Sequence, residues 1–155
     1  MDIIIDEIEG FIRSSKCQAK RISNEDEDDV WLKIINKFTK HPNNYIQENS
    51  WIWEDLVDEV SVCNSEAWCW ISEFISNSEC YFVVNHCGNK CVYIFESGHS
   101  LVNMYDATYQ NIEFYVTDME YTYLLAFNHE DYLCACGRAK DWLIDFIYKN
   151  NYEQV

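Results

Sequence analysis

The spacing of apolar residues along this chain changes at Cys80. Before that point apolar residues recur every three or four positions, which is the spacing of amphipathic helices. After it, short apolar runs alternate with turn-forming residues, which is typical of strands joined by tight turns. Helices that come first and strands that come second indicate an α+β fold. The sequence therefore predicts N-terminal helices followed by an antiparallel sheet of about five strands and a C-terminal helix.

Three helices are predicted before the sheet. Acidic residues open the first two, and Lys37, Lys40 and Pro42 mark the end of the second. Ser65 is expected to cap the third. The predicted ranges are residues 2–15, residues 25–40 and the helix after Ser65, with Ala67, Trp68, Ile71, Phe74 and Ile75 on its buried face. Residues 45–62 have mixed spacing and are interpreted as a short bend followed by a short helix.

The second half of the chain predicts a hairpin and a meander. Residues 80–95 form the hairpin, with Gly88 and Asn89 at its tip. Residues 97–105 are expected to be a short helix or an irregular crossover. The strands that follow are Ile112–Thr117, Tyr121–Asn128 and Tyr132–Cys136, and residues 140–149 form the closing helix. Because there is no internal repeat and no boundary, residues 1–155 are predicted to be a single acidic α+β domain.

The charge of the chain is strongly one-sided. Its formal net charge is −16 over 155 residues, and between His41 and Gly137 Lys90 is the only basic residue. Phosphate contacts need Lys and Arg, so direct binding of nucleic acid is not expected. An excess of one charge opposes compaction but steers an oppositely charged partner toward the surface. The composition therefore favours a basic protein as the partner.

The sequence also predicts a cytoplasmic location and no contact with a membrane. The first residues lack the basic region of a signal peptide, and no apolar run approaches the ~18 residues of a membrane span. The eight Cys are an even number, but several lie inside apolar runs in a chain without an export signal. Reduced thiols are therefore expected.

Metal and thiol chemistry have weak candidates. His86, Cys87, Cys91 and His99 are close in sequence, but they lack the paired spacing of a zinc site, so no metal and no cofactor are predicted. Cys134 and Cys136 lie on one face of a strand and are expected to face the core. A thiol or histidine enzyme would use Cys87, His86, His99 and His129, yet no nucleophile elbow or phosphate loop accompanies them.

Acidic residues beside aromatic ones are the strongest candidates for a binding site. Such mixtures suit a basic protein partner, although acidic runs are also common on solvated helix faces. The predicted partner-binding residues are Trp51, Trp53, Glu54, Asp55, Asp58, Glu59, Asp118, Glu120, Tyr121 and Tyr123. Glu130 and Asp131 beside Tyr132 form a further acidic turn. The turns at 118–120 and 129–131 should lie at opposite ends of the strand between them, so at most one of them contributes to a given interface.

In its size, acidity, α+β order and lack of an enzyme motif, the chain resembles the immunity proteins of bacterial toxin systems. The stretch from Phe114 to Gly137, FYVTDMEYTYLLAFNHEDYLCACG, also looks like the strand–strand–glycine ending of some such families. The resemblance implies a non-enzymatic inhibitor that binds and blocks a basic toxin domain such as a nuclease. The alternatives are an uncharacterised thiol or histidine enzyme or small-molecule-binding domain, and an adaptor domain whose acidity serves solubility. The sequence leaves the oligomeric state open.

Overall fold

The computed structural model describes residues 3–15, 17–46, 51–86, 89–108 and 112–152, which contain five α-helices, one 3₁₀ turn and seven β-strands. The helices are α1 (Ile3–Ser15), α2 (Asn24–Phe38), α3 (Ala67–Ile75), α4 (Gly98–Ala107) and α5 (Arg138–Lys149), and the 3₁₀ turn is Pro42–Tyr45. The strands are β1 (Lys20–Arg21), β2 (Val60–Cys63), β3 (Cys80–His86), β4 (Asn89–Phe95), β5 (Phe114–Thr117), β6 (Tyr123–Phe127) and β7 (Tyr132–Gly137).

All seven strands form one sheet in the order β1-β4-β3-β5-β6-β7-β2, and every neighbouring pair is antiparallel. The predicted meander is present as β5, β6 and β7. The two short strands β1 and β2 lie at the edges of the sheet. This confirms the α+β class, with seven strands where about five were predicted and with helices interleaved among the strands.

Helices cover both faces of the sheet, because side chains along each strand alternate between two apolar layers. The first face, which includes Phe82 and Val84, packs against α1, α3, α4 and α5. The second face, which includes Val83, packs against α2, the 3₁₀ turn and the segment around Ile52 and Leu56. The chain therefore has three layers, with the sheet in the middle.

The start of α2 agrees with its sequence signals. Ser23 is the N-cap residue, and its Oγ accepts a hydrogen bond from Asp26 N at 3.2 Å. Glu27 is 3% exposed, and its Oε1 accepts from Arg21 Nε at 2.9 Å and from Val92 N at 3.3 Å. Because a buried carboxylate is costly unless it is paired, these bonds fix α2 against β1 and β4.

The prediction for residues 45–62 was wrong in its second half. No short helix forms there. Instead, Val60 and Val62 are buried at alternate positions of β2, which pairs with β7, and Leu56 forms a bridge with Thr39. A strand forms because the long-range pairing with β7 outweighs a local spacing that fits either structure.

Two smaller boundaries also differ from the sequence prediction. The third helix begins at Ala67, and Asn64 Oδ1, not Ser65, accepts a hydrogen bond from a main-chain N in that turn, that of Glu66 at 2.8 Å. Asn89 is already the first residue of β4, while Gly88 lies outside the described residues. The ambiguous residues 97–105 belong to α4, with Ser97 as its N-cap and a helix from Gly98 onward. Among the described residues, no helix has the length and apolar content needed to cross a membrane.

Candidate functional site

The segment before β2 crosses the second face of the sheet. Ile52 and Leu56 are buried there, and Ile52 N donates a hydrogen bond to the hydroxyl of Tyr115 at 3.3 Å. Burial raises the pKa of Tyr115, so its hydroxyl stays protonated near neutral pH while its oxygen accepts this bond. These buried residues anchor the segment. Trp53 and Glu54 lie beside the paired strands β2 and β7.

A surface cleft of about 390 Å³ lies beside strands β2 and β7, and we call it the acidic cleft. It combines two aromatic side chains, three glutamates, a hydroxyl and a thiol. The lining residues are Trp53, Glu54, Glu59, Ser61, Glu130, Tyr132 and Cys134. The pairing of Ser61 with Cys134 and of Cys63 with Tyr132 brings β2 and β7 residues together. The cleft therefore joins one predicted cluster, at residues 53–59, to the turn at residues 129–131.

The negative charge of the acidic cleft is not neutralised from within. Glu59 Oε2 accepts a hydrogen bond from Ser61 Oγ at 3.2 Å, which is a neutral donor. Within the described part of the chain, neither Glu54 nor Glu59 forms an ion pair with a cation. Glu130 lies 3.9 Å from His129 Nε2, which is a long contact. Excess carboxylate charge of this kind attracts a cation from outside.

Trp51 and Trp53 form an aromatic arm beside the acidic cleft. Trp51 is 53% exposed, and its ring centroid lies 5.3 Å from that of His129 and 6.4 Å from that of Trp53. The ring of His129 bonds to Glu113 through Nδ1, and this hydrogen bond is the main reason that the pKa of His129 is raised. Glu113 therefore fixes the imidazole of His129, which the rings of Trp51 and Trp53 contact.

The β6–β7 turn is built to present Glu130. Asn128 is 2% exposed, and its Oδ1 accepts hydrogen bonds from Glu130 N at 2.9 Å and from Tyr132 N at 3.0 Å. Asp131 takes a positive φ of 65°, which Asp tolerates better than most residues. Glu130 and Asp131 were named from the sequence as a further acidic turn, outside the predicted partner-binding residues. Glu130 reaches the acidic cleft because β2 pairs with β7. The prediction of a short helix within residues 45–62 hid this pairing.

Asp55 and Asp58 do not line the acidic cleft. Asp55 has a 15% exposed side chain and pairs with His41 at 2.9 Å. Asp58 is largely exposed and pairs with Lys140 of α5 at 2.6 Å. Two of the four predicted acids in this segment therefore have internal partners, and Glu54 and Glu59 remain as its contribution to the cleft.

The second predicted group lies at the other end of β6. Asp118 accepts a hydrogen bond from Thr122 N at 2.7 Å and lies 3.6 Å from Arg138 Nη2, so it stabilises the β5–β6 turn. Tyr123 is 1% exposed and packs in the core against Phe74, which corrects its predicted place at a binding surface. Glu120 is exposed in the same turn.

Tyr121 lines a different cleft, of about 350 Å³, on the second face. Its ring stacks on Tyr81 at 6.0 Å, and Lys33 Nζ lies 5.6 Å from the ring centroid. Lys33 itself pairs with Asp29 at 2.9 Å. Both signs of charge line this cleft, so it lacks the one-sided charge of the acidic cleft.

The buried thiols of Cys134 and Cys136 are poor nucleophiles. Every described cysteine is free, which agrees with the predicted reduced state. Burial is the main cause that raises the pKa of Cys134 and of Cys136 to about 12, so both are protonated near neutral pH. Both side chains lie in the apolar core on the second face of the sheet. A position facing the core was predicted for both.

The predicted histidine and thiol group does not assemble among the described residues. His99 lies in the first turn of α4, next to the end of β4, whereas His129 lies in the β6–β7 turn at the opposite end of the sheet. His86 ends β3, and Cys87 lies outside the described residues. In the described part of the chain, no group of three or more His, Cys, Asp or Glu side chains is arranged so that it could hold a metal ion.

The fold and the acidic cleft define an antiparallel α+β protein with an acidic, aromatic surface site. The chain belongs to the DUF6756 family, a family of unknown function, whose sequence profile matches residues 4–145. No curated protein and no solved structure matches the chain. The matched range contains every residue that lines the acidic cleft.

Proposed function

We propose that this protein is an inhibitor that binds a basic protein and receives a cationic side chain of that partner in the acidic cleft. The observation that carries the proposal is the combination of Glu54, Glu59 and Glu130 with Trp53 and Tyr132 in one cleft. Glu54 and Glu59 lack ion-pair partners among the described residues. A Lys or Arg from a partner would supply the missing charge.

The chemistry of the cleft suits an arginine or lysine side chain. Carboxylates accept charge-assisted hydrogen bonds from a guanidinium or an ammonium group. The face of Trp53 or Tyr132 would add a cation–π contact of about 0.5–2 kcal/mol. Aromatic residues surrounded by polar ones are also typical of the few positions that dominate the affinity of protein interfaces.

The charge of the whole chain supports fast association. At a net charge of −16, the field of the protein steers a basic partner before contact is made. Such steering raises association rates to about 10⁸ M⁻¹s⁻¹ at low salt, and added salt weakens it. The association rate is therefore expected to fall steeply with ionic strength.

The biological role that fits this chemistry is immunity to a toxin. In this proposal the protein acts in the cytoplasm, occludes a basic toxin domain such as a nuclease, and needs no cofactor. The sequence resemblance to immunity proteins and the unpaired carboxylates of the cleft support it. The protonated Cys134 in the same cleft favours binding over thiol catalysis, because the thiolate is the nucleophilic form.

Co-expression with the product of a neighbouring gene tests the proposal. The neighbour should arrest growth when it is expressed alone, and this chain should restore growth. Rescue should be lost with the double variant Glu54→Lys and Glu59→Lys. It should persist with Glu73→Lys and Glu79→Lys, which change the charge equally at exposed positions away from the cleft. A neighbour that is harmless alone, or still toxic beside this chain, would contradict the proposal.

A further inference from the structure

Within the described ranges, the edge strand β2 leaves main-chain groups without partners. β2 stands at the end of the strand order, and β7 is the one strand that pairs with it in the part of the chain that the structure describes. Asn64 N, just after β2, donates to Asp131 O at 2.9 Å, so the main chain of residue 64 points toward the β7 side. Main-chain groups alternate in direction along a strand. The main-chain N–H and C=O groups of Val60 and Val62 therefore also point toward β7. Those of Ser61 and Cys63 point away from it.

The pairing on the other side of β7 agrees with this assignment. Tyr132 is the partner of Cys63, but its carbonyl accepts a hydrogen bond from Asn128 N at 3.1 Å, toward β6. Cys63 and Tyr132 are thus a non-hydrogen-bonded pair. Outside the β2–β7 ladder, the N–H and C=O of Ser61 and Cys63 form no main-chain hydrogen bond with any residue in the described ranges. Within that ladder these groups face away from β7. Two donors and two acceptors are available along this edge.

The two edges of the sheet differ in their protection. Natural sheets guard their edges with very short strands, lysines or prolines. The β1 edge is two residues long, and both are basic. The β2 edge has four residues, Val-Ser-Val-Cys, without a charge or a proline. It therefore has the character of an edge that accepts another strand.

We infer, on the basis of the proposed function, that the basic partner binds by adding an extended segment to β2, with alternate Lys or Arg side chains over the acidic cleft. An added strand lies about 4.8 Å from β2, and every second side chain points to the same face. On the second face those side chains would pass Ser61 and reach Glu59 and Glu130. Strand addition of this kind gives affinity through the main chain and specificity through side-chain pockets.

The charges around β2 select this occupant over a second copy of the chain. Asp58 and Glu59 precede the strand, and Glu130 and Asp131 lie in the turn beside its other end. Two copies joined at β2 would bring these acids together, and like charges placed opposite each other are destabilising. A basic segment would be attracted by the same residues.

The test uses the peptide acetyl-Arg-Val-Arg-Val-Arg-amide as the probe, with its binding to the full chain measured by isothermal titration calorimetry. Cys63→Pro removes an outward N–H and places a ring on the free edge, where proline is tolerated. Cys63→Ala keeps the main chain and serves as the control. We expect Cys63→Pro to bind the peptide about tenfold more weakly than Cys63→Ala, because main-chain hydrogen bonds are lost. Glu59→Gln should weaken binding as well.

A second measurement avoids any folding defect of the proline variant. In the wild-type chain, hydrogen exchange at the amides of Ser61 and Cys63 should slow when the peptide is added. Equal binding by Cys63→Pro and Cys63→Ala, with no protection of these two amides, would overturn strand addition. If Glu59→Gln still weakened binding, charge recognition by the cleft would stand.

Two other outcomes also decide the inference. A wild-type chain that fails to bind the peptide contradicts strand addition, while the co-expression experiment judges the inhibitor function separately. A wild-type dimer in sedimentation that becomes a monomer with Cys63→Pro would show that a second copy occupies the edge. That result would likewise overturn a basic segment as the occupant.

Discussion

Asp55 holds His41 with both carboxylate oxygens. Oδ2 accepts a hydrogen bond from His41 N at 3.0 Å, and Oδ1 lies 2.9 Å from the ring Nδ1. Asp55 O also accepts from Lys40 N at 2.9 Å, so the end of α2 is tied to the segment that carries Trp53 and Glu54. Burial alone would raise the pKa of Asp55, but the hydrogen bonds from His41 and Tyr45 outweigh it and lower the pKa below 3.8.

We predict that Asp55→Asn lowers the free energy of unfolding by about 1–3 kcal/mol at neutral pH, because the amide lacks the negative charge and has one accepting oxygen in place of two. A lowered pKa in the folded state means that this stabilisation is complete above about pH 4 and disappears as the pH falls through the folded value. The difference between wild type and variant should therefore shrink in acid. Urea denaturation at neutral and acidic pH measures both effects.

The matched control is Asp58→Asn, since Asp58 pairs with Lys140 but its side chain is 79% exposed. An exposed pair contributes less than about 1 kcal/mol. Equal losses in the two variants would contradict the structural role assigned to Asp55.

The close approach of Gly137 to the β5–β6 turn gives a second prediction. Gly137 has a φ of 63°, and a Cβ at this position would lie 2.3 Å from Thr122 O. Gly137→Ala should lower the free energy of unfolding by more than about 2 kcal/mol, through both the left-handed backbone and the clash. Gly10→Ala in α1, where a Cβ meets nothing within 4 Å, should instead stabilise by up to about 1 kcal/mol. Thermal denaturation of both variants distinguishes a local constraint from a general cost of replacing glycine.

The parts of the fold that local patterns determine could be predicted from the sequence. The predicted stripe of α2, Val30, Trp31, Ile34, Ile35 and Phe38, is buried at every position. Strands β5, β6 and β7 follow one another through tight turns, so their pairing needs only neighbouring residues. By contrast, β2 pairs with a strand about 70 residues further along the chain, and two alternating valines do not distinguish a strand from a helix.

The full set of residues in the acidic cleft could not be predicted either, because long-range contacts bring them together. Glu54 and Glu59 were predicted, but their neighbour Glu130 reaches the cleft only through the β2–β7 pairing. Asp55 and Asp58 were predicted to bind a partner, and no Lys or Arg lies beside them in the sequence. Their partners, His41 and Lys140, come from distant elements.

The raised pKa of His129 supplies a prediction about pH. Its first cause is the hydrogen bond with Glu113, so Glu113→Gln should return the pKa toward 6.5. Since the folded pKa is raised, the ion pair contributes stability below about pH 6.5 and loses it as the pH rises through the folded value. Ring titration by NMR measures the shift directly. Glu130→Gln is the control, since its 3.9 Å contact should move the pKa less. Equal shifts in the two variants would show that the Glu113 bond is not the cause.

The cysteines should differ in their reactivity toward iodoacetamide at neutral pH. Cys63 is exposed and should be alkylated, whereas Cys134 is buried with a pKa of about 12 and should not react in the folded chain. Mass spectrometry after timed labelling gives the two rates, and labelling in urea confirms that both residues can react. Faster labelling of Cys134 than of Cys63 would revive a thiol function for the acidic cleft.

Neutralising the acidic cleft should weaken cation binding without unfolding the protein. In the double variant Glu54→Gln and Glu59→Gln, repulsion between unpaired carboxylates decreases, so the free energy of unfolding should stay equal or rise slightly. Binding of acetyl-Arg-Val-Arg-Val-Arg-amide should weaken by about tenfold at low salt, because two charge contacts are removed. The control Glu73→Gln and Glu79→Gln has the same net charge and should change affinity by less than about twofold, since distant exposed charges are screened. Added salt should reduce the difference between the two double variants. If both variants lose affinity equally, the net charge of the chain, and not the acidic cleft, attracts the cation.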